Sequence, residues 1–120
     1  MRYIMIYRPD ADMETSGPPT PENMEAMGKF IQEIAEAGVL VGADGLLPSS
    51  MGAKVRLSNG KLTVTDGPFT EAREVIGGFA IVQLDSMAEA VDLAERFLKV
   101  AGDGSSEIRQ MHDQPAFERQ

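Results

Sequence analysis

Asp66 is the residue this sequence best equips to take a proton. It closes a run of strand-forming residues and is followed at once by Gly67-Pro68-Phe69, so it stands where a strand gives way to a turn. A carboxylate in that position acts as a general base if partial burial raises its pKa. The same carboxylate can instead accept backbone N–H groups in an Asx turn, which Asp-Gly-Pro invites. Glu71, Arg73 and Glu74 come directly after. They can orient a polar substrate, with Arg73 gripping a carboxylate through both of its nitrogens. They can equally be a solvated turn whose internal ion pair adds little. Phe69 either anchors the loop to the core or stacks on a ligand.

Two further groups could join Asp66 in a cleft. Asp44 precedes Gly45, and a second carboxylate would allow one group to act as acid and the other as base. Tyr7, at the end of the first apolar run, can bring a hydroxyl to the same cleft or serve as a barrel residue with its tip in water. His112, the lone histidine, lies beside Asp113, but neighbours on a strand point to opposite faces. Cysteine is absent, which rules out thiol nucleophiles, disulfides and cysteine-ligated metals. No metal-binding spacing and no phosphate-cradling glycine motif is found, so neither metal nor cofactor is expected.

The charge balance narrows the partners. With 19 acidic and 11 basic residues the net charge is −8, which disfavours phosphate backbones and anionic lipid heads. No stretch approaches the length that spans a bilayer. The apolar run in Met1 to Tyr7 is too short for a signal-peptide core. The expected location is the cytoplasm, with no nucleic-acid or membrane partner.

The elements that must hold these groups follow from local patterning. Arg2 to Tyr7 reads as a first strand. Arg8 to Pro19, with three prolines, a glycine and three acidic residues, reads as a long loop. Thr20-Pro21-Glu22 opens a helix, with threonine as N-cap and proline in the first turn. Met24, Met27, Ile31 and Ile34 give that helix one apolar stripe, and Gly38 fits the left-handed position beyond its end. Val39-Leu40-Val41 is strand-like and is interrupted at Gly42 to Gly45. Lys54 to Thr65 is a hairpin about Asn59-Gly60, a pair suited to a type I′ turn. That turn sets Leu57 opposite Leu62 and Val55 opposite Val64 on one apolar face, with Lys54, Arg56, Thr63 and Thr65 on the other.

The run from Val75 to Leu84 is apolar on both faces, with Phe79 and Ile81 pointing one way and Ala80, Val82 and Leu84 the other. Such a strand is central, or is buried by a second subunit. Ser86-Met87-Ala88-Glu89 is a capping box for a second helix, with an expected stripe of Met87, Ala90, Val91, Ala94, Phe97 and Leu98. Glu107 to Met111 forms a last strand, and residues 113–120 a polar tail. The order is β-α-β, a hairpin, then β-α-β. It predicts one α+β domain over residues 1–112, of ferredoxin-like architecture: an antiparallel sheet, two helices on one face, and an inserted hairpin. A layer pair this small leaves a sheet face uncovered, which favours a homodimer.

The string Thr65-Asp66-Gly67-Pro68-Phe69-Thr70-Glu71-Ala72-Arg73-Glu74, followed by Gly77-Gly78-Phe79, resembles the signature of the DGPF-motif branch of the YCII-related family. Met1 to Tyr7, Ala37 to Leu40, Gly45-Leu46 before Pro48, and Glu107 to Arg109 extend the likeness along nearly the whole chain, in order. The resemblance implies a dimeric ferredoxin-like α+β barrel, in which two sheets pack face to face and enclose clefts. It implies no fixed activity. Some relatives act on small aromatic compounds, dehydrochlorination included, through a proposed His-Asp pair. Some DGPF relatives are encoded near sigma factors. The histidine of that pair lies near the start of the first helix, where this chain carries Met24 and Met27, so the pair is not carried over.

The expectation is therefore a homodimer that binds or transforms a small polar or aromatic molecule in a cleft near the DGPF loop. Asp66 is the candidate catalytic group, and Tyr7, Asp44, Phe69, Glu71, Arg73 and Glu74 are candidates to bind the substrate. The alternative is a non-catalytic regulatory or protein-interaction module linked to a sigma factor.

Overall fold

The computed structural model describes residues 1–10, 20–69 and 75–112. Glu71, Arg73 and Glu74, most of the loop after the first strand, and the tail 113–120 lie outside the described residues. The elements run β1 (Arg2–Pro9), α1 (Pro21–Glu36), β2 (Leu40–Gly45), a 3₁₀ turn (Ser49–Met51), β3 (Ala53–Ser58), β4 (Lys61–Asp66), β5 (Gly78–Gln83), α2 (Met87–Ala101) and β6 (Gly104–Gln110).

Four strands form one antiparallel sheet in the order β2-β5-β1-β6, and β3 with β4 forms a separate two-stranded sheet. This is the ferredoxin-like arrangement with an inserted hairpin that the sequence predicts. The doubly apolar β5 is interior, flanked by β1 and β2. Val82 on β5 is fully buried, and Tyr3 and Met5 on β1 join it. Phe30 and Ile34 of α1 and Ala90, Leu93 and Ala94 of α2 complete the core on the same side of the sheet.

Local signals set the element ends. The Thr20 hydroxyl accepts from the Asn23 N–H at 3.1 Å, and the Ser86 hydroxyl from the Glu89 N–H at 3.2 Å, each satisfying a donor the helix leaves free. The Glu89 carboxylate reaches back to the Asp85 N–H, one residue before the cap. Gly38 has φ +75°, and Asn59 and Gly60 have φ 51° and 77°, the pair of left-handed residues that a type I′ turn requires. The hairpin register is the predicted one, with Val55 opposite Val64 and Leu57 opposite Leu62.

The two helix stripes are shifted from the predicted ones. On α1 the buried residues are Phe30 and Ile34, with Met27 and Ile31 partly buried, whereas Met24 is 62% exposed. Met24 continues the row geometrically, but it lies in the first turn of the helix and is not part of the core cluster. On α2 Leu93 is buried and Met87 and Val91 are exposed. The true stripe follows Ala90, Leu93, Ala94 and Phe97, and Val91 lies a third of a turn to one side of it. Among the described residues no helix is long and apolar enough to cross a membrane.

Candidate functional site

Strand alternation makes the site. Tyr3 and Met5 face the helices, so Ile4 and Ile6, between and beyond them, face the other way. Ala80 and Val82 pack toward the helices, so Phe79 and Ile81 share that opposite face. Register then fixes two rows across the open side of the sheet. One runs Asp44, Phe79, Ile6, Glu107, and the next runs Gly42, Ile81, Ile4, Arg109. With strands roughly 4.8 Å apart, Asp44 and Glu107 stand about 14 Å from each other at the two edges. Between them lies an apolar floor of Ile4, Ile6, Phe79 and Ile81. No helix covers it.

The β6 edge of this floor is a charged cluster. Arg8 Nη1 donates to Glu107 Oε1 at 2.7 Å, and Arg109 Nη1 to Glu107 Oε2 at 3.3 Å. The bond from Arg109, then the bond and charge of Arg8, hold the Glu107 carboxyl below the ordinary glutamate range. Glu107 therefore accepts hydrogen bonds and is not poised to donate a proton. Arg109 is largely exposed, with its guanidinium only partly engaged. At the β2 edge Asp44 is exposed on the same face beside Phe79.

Tyr7 is on the other side of the sheet. Its ring packs edge-on against Phe97 of α2, with centroids 5.3 Å apart. Its hydroxyl lies 3.4 Å from the Gly102 carbonyl and 3.3 Å from that of Asp103, so it donates into the α2–β6 turn. Burial first, then the negative charges of Asp10 and Asp103, push its pKa up, and the phenol stays protonated at neutral pH. Tyr7 and Asp44 therefore do not meet.

Asp66 ends β4, opposite Ala53 on the hairpin, and is exposed. Its carboxylate accepts no hydrogen bond among the described residues, so the Asx turn is not what forms there. The turn is held instead by backbone. The Gly67 N–H donates to the Gly52 carbonyl at 3.0 Å, and the Phe69 N–H to the Ser49 hydroxyl at 3.2 Å. Gly67 presses so closely on the Ser49 carbonyl that no Cβ would fit. The Phe69 ring sits near Gly52, with the Lys54 ammonium 4.9 Å from its centre. The Asp-Gly-Pro-Phe segment is thus a clasp that fastens the end of β4 to the turn before β3. Asp44 and Asp66 stand on different sheets.

Two grooves elsewhere do not contain these residues. One, of about 460 Å³, opens beside the helices between Glu33, Val39, Leu84, Asp92 and Arg96. The other, of about 430 Å³, lies over the polar face of the hairpin at Arg56, Asn59 and Lys61. Among the described residues no group of three or more His, Cys, Asp or Glu side chains could hold a metal ion. His112 is exposed, and its carbonyl accepts from Arg2 at 3.2 Å. The open-face residues Arg8, Glu107 and Arg109 were not singled out from the sequence. Alternation along Glu107-Ile108-Arg109 was the available signal, since it puts both charged residues on one face.

Sheet order, helix placement and an uncovered sheet face define a ferredoxin-like α+β protein. The YCII-related domain model matches residues 1–113, and the chain belongs to that family. An uncharacterised protein of Rhizobium meliloti is 35% identical over 87 residues, covering 72% of this chain and 70% of the relative. Among solved structures, 5-chloro-2-hydroxyhydroquinone dehydrochlorinase of Burkholderia phenoliruptrix, in complex with 2,5-dihydroxybenzoquinone, superposes with a TM-score of 0.53. That match covers 95% of this chain and 96% of the other at 10% identity, and it speaks for the fold.

Proposed function

We propose that this protein is a homodimer that binds a small aromatic or polar molecule on the open sheet face, roofed by the second copy. The observation that carries the reading is the row Asp44, Phe79, Ile6, Glu107, an apolar floor with charge at each end. Phe79 offers a ring to stack on, Asp44 accepts a hydroxyl proton, and Arg109 meets a carboxylate or quinone oxygen. A ring system shorter than the roughly 14 Å between the edges fits between them. The dihydroxybenzoquinone bound by the structural neighbour is of the same chemical class. Asp66 and Phe69, at the turn after β4, remain candidates in this reading, as do Glu71, Arg73 and Glu74, which lie outside the described residues. A location in the cytoplasm accords with it.

Thermal-shift measurements with 2,5-dihydroxybenzoquinone and with hydroxybenzoic acids test the proposal. Binding raises the melting temperature, Phe79→Ala removes the shift for every ligand, and Arg109→Ala weakens the acids more than the quinone. No shift with any of these compounds sinks it.

A second reading is a non-catalytic interaction or regulatory module with a link to a sigma factor. One observation supports it, the exposed apolar face of the hairpin. Co-purification of a transcription factor from the native host is its test.

A further inference from the structure

Arginine is distributed unevenly over this molecule. Alternation along β1 turns Arg2 and Arg8 to the open face with Ile4 and Ile6, because Tyr3 and Met5 face the helices. Alternation along β6 turns Arg109 the same way as Glu107, because Ile108 packs against the core. The guanidiniums of Arg2, Arg8 and Arg109 therefore border the apolar floor, against the carboxylates of Glu107 and Asp44. The chain as a whole has the opposite balance, with 11 basic residues and 19 acidic ones. The open face is a local reversal of the molecule's charge, and a reversal of that kind draws in anions.

These arginines are not equally committed. Arg8 meets Glu107 Oε1 at 2.7 Å, and its side chain is only 25% exposed. Arg109 meets Oε2 at 3.3 Å, and its side chain is 73% exposed. Among the described residues the Arg2 guanidinium donates to the His112 carbonyl at 3.2 Å and to no carboxylate. A guanidinium has about five N–H donors, so Arg2 and Arg109 each keep most of theirs. The two are also neighbours. Arg109 pairs with Ile4, two residues along β1 from Arg2, and the Met111 N–H donates to the Arg2 carbonyl. Diagonal positions of this kind lie about 7–8 Å apart, within the reach of long side chains for one shared group. Glu107 stands opposite Ile6, farther along the strand from Arg2 than Arg109 is, so it does not lie between the two cations.

We infer that Arg2 and Arg109 form a fork for the carboxylate of an aromatic acid whose ring lies on Ile4 and Ile81. The inference rests on the open-face site proposed above, and it narrows the ligand from small polar or aromatic molecules in general to monoanionic aromatic acids. Planar guanidiniums match a carboxylate through paired N–H···O bonds. The row Arg109, Ile4, Ile81, Gly42 supplies the bed for the rest of the molecule. It has a cation at one end and apolar side chains in the middle. At its other end stands a glycine whose absent side chain would meet nothing within 4 Å. The adjacent row ends in Glu107 and Asp44. A phosphate ester, as a dianion, meets roughly twice the repulsion from them that a single carboxylate meets.

Titration calorimetry with 4-hydroxybenzoate, its uncharged analogue 4-hydroxybenzamide, and phenyl phosphate tests the fork. The wild type binds the acid about tenfold or more tightly than the amide. Arg2→Gln and Arg109→Gln each weaken the acid by about fivefold to tenfold and leave the amide unchanged. Lys99→Gln removes the same charge from an exposed position on α2 and changes neither. In the wild type itself, raising the salt from about 20 mM to about 500 mM weakens the acid severalfold and spares the amide. Equal affinity for acid and amide overturns the fork and leaves the open face as a site for neutral rings. A preference for the acid that survives both arginine changes, or that is indifferent to salt, overturns it too. So does tighter binding of phenyl phosphate than of 4-hydroxybenzoate. A preference that both arginine changes remove and Phe79→Ala does not touch upholds the fork and overturns stacking on Phe79. No binding of any of these compounds overturns both the fork and the site on which it rests.

Discussion

The main sheet and the hairpin are both antiparallel and both rich in β-branched and leucine residues, yet they end in opposite states. On β1 and β5 one face is closed by helices, and Tyr3 and Val82 are 1% and 0% exposed. On β3 and β4 the equivalent apolar residues are left at two-thirds exposure. The hairpin is specified locally: Asn59-Gly60 fixes the turn, the turn fixes the register, and nothing distant is required. The sheet is specified by long-range closure, with β1 pairing strands from the far end of the chain. Local rules suffice to give a segment its shape. They do not supply the surface that makes the shape stable, and that has to come from elsewhere.

The sharpest way to break this contrast is to place the same charge in each region. Val82→Asp buries an unpaired carboxylate and should cost about 4 kcal/mol, enough to abolish the cooperative melt or lower it by tens of degrees. Val64→Asp, on an exposed strand, should shift stability by less than about 0.5 kcal/mol. Equal melting losses from the two changes would mean that the hairpin belongs to the same cooperative unit as the sheet.

Next in size is the clasp. Gly67→Ala drives a methyl group into the Ser49 carbonyl and should cost about 2–3 kcal/mol, read by chemical denaturation. Gly52→Ala meets the same carbonyl at 3.4 Å and should cost less than about 1 kcal/mol. A reversed order would refute the packing of the turn. Smaller still is the pair Ser86→Ala and Gly60→Ala. The first removes a helix cap and should lower global stability by about 1 kcal/mol. The second strains a residue at φ +77° and should appear as faster amide exchange confined to β3 and β4.

The smallest effect is electrostatic and depends on pH. The Glu107 carboxyl is held below its ordinary pKa by Arg109 and Arg8, so the folded state favours its charged form. Whatever stability this gives is present above the usual glutamate pKa and is lost as pH falls through the depressed value. Between about pH 6 and pH 3 the wild type should therefore lose slightly more stability than Glu107→Gln. The same loss in both proteins would show that the pair contributes nothing.

Much of the fold was legible in the chain. Thr20 and Ser86 announced their helices, Asn59-Gly60 its turn, and the two-sided apolarity of Val75 to Leu84 its interior strand, because each is a local cause with a local effect. The helix stripes were less so, since Met24 and Phe30 are both apolar and only the extent of the sheet decides which is covered. The site was least legible. Asp66 drew notice through its motif, whereas Asp44, Phe79, Ile6 and Glu107 come together only once β2, β5, β1 and β6 are placed side by side. Residues 40 to 110 contribute three of those strands, and no short-range pattern states their order. Tyr7 shows the same limit, because strand parity alone decides which side of the sheet its hydroxyl serves.

The bond from the Gly67 N–H to the Gly52 carbonyl has a consequence for how this family can vary. It rivets the two roots of the insertion to each other, so the number of residues between them is decoupled from the geometry of the sheet. Lengthening or trimming the hairpin by matched pairs of residues should leave the ferredoxin-like body untouched while altering how far the hairpin extends. Reach becomes a quantity that evolution can adjust without refolding anything else.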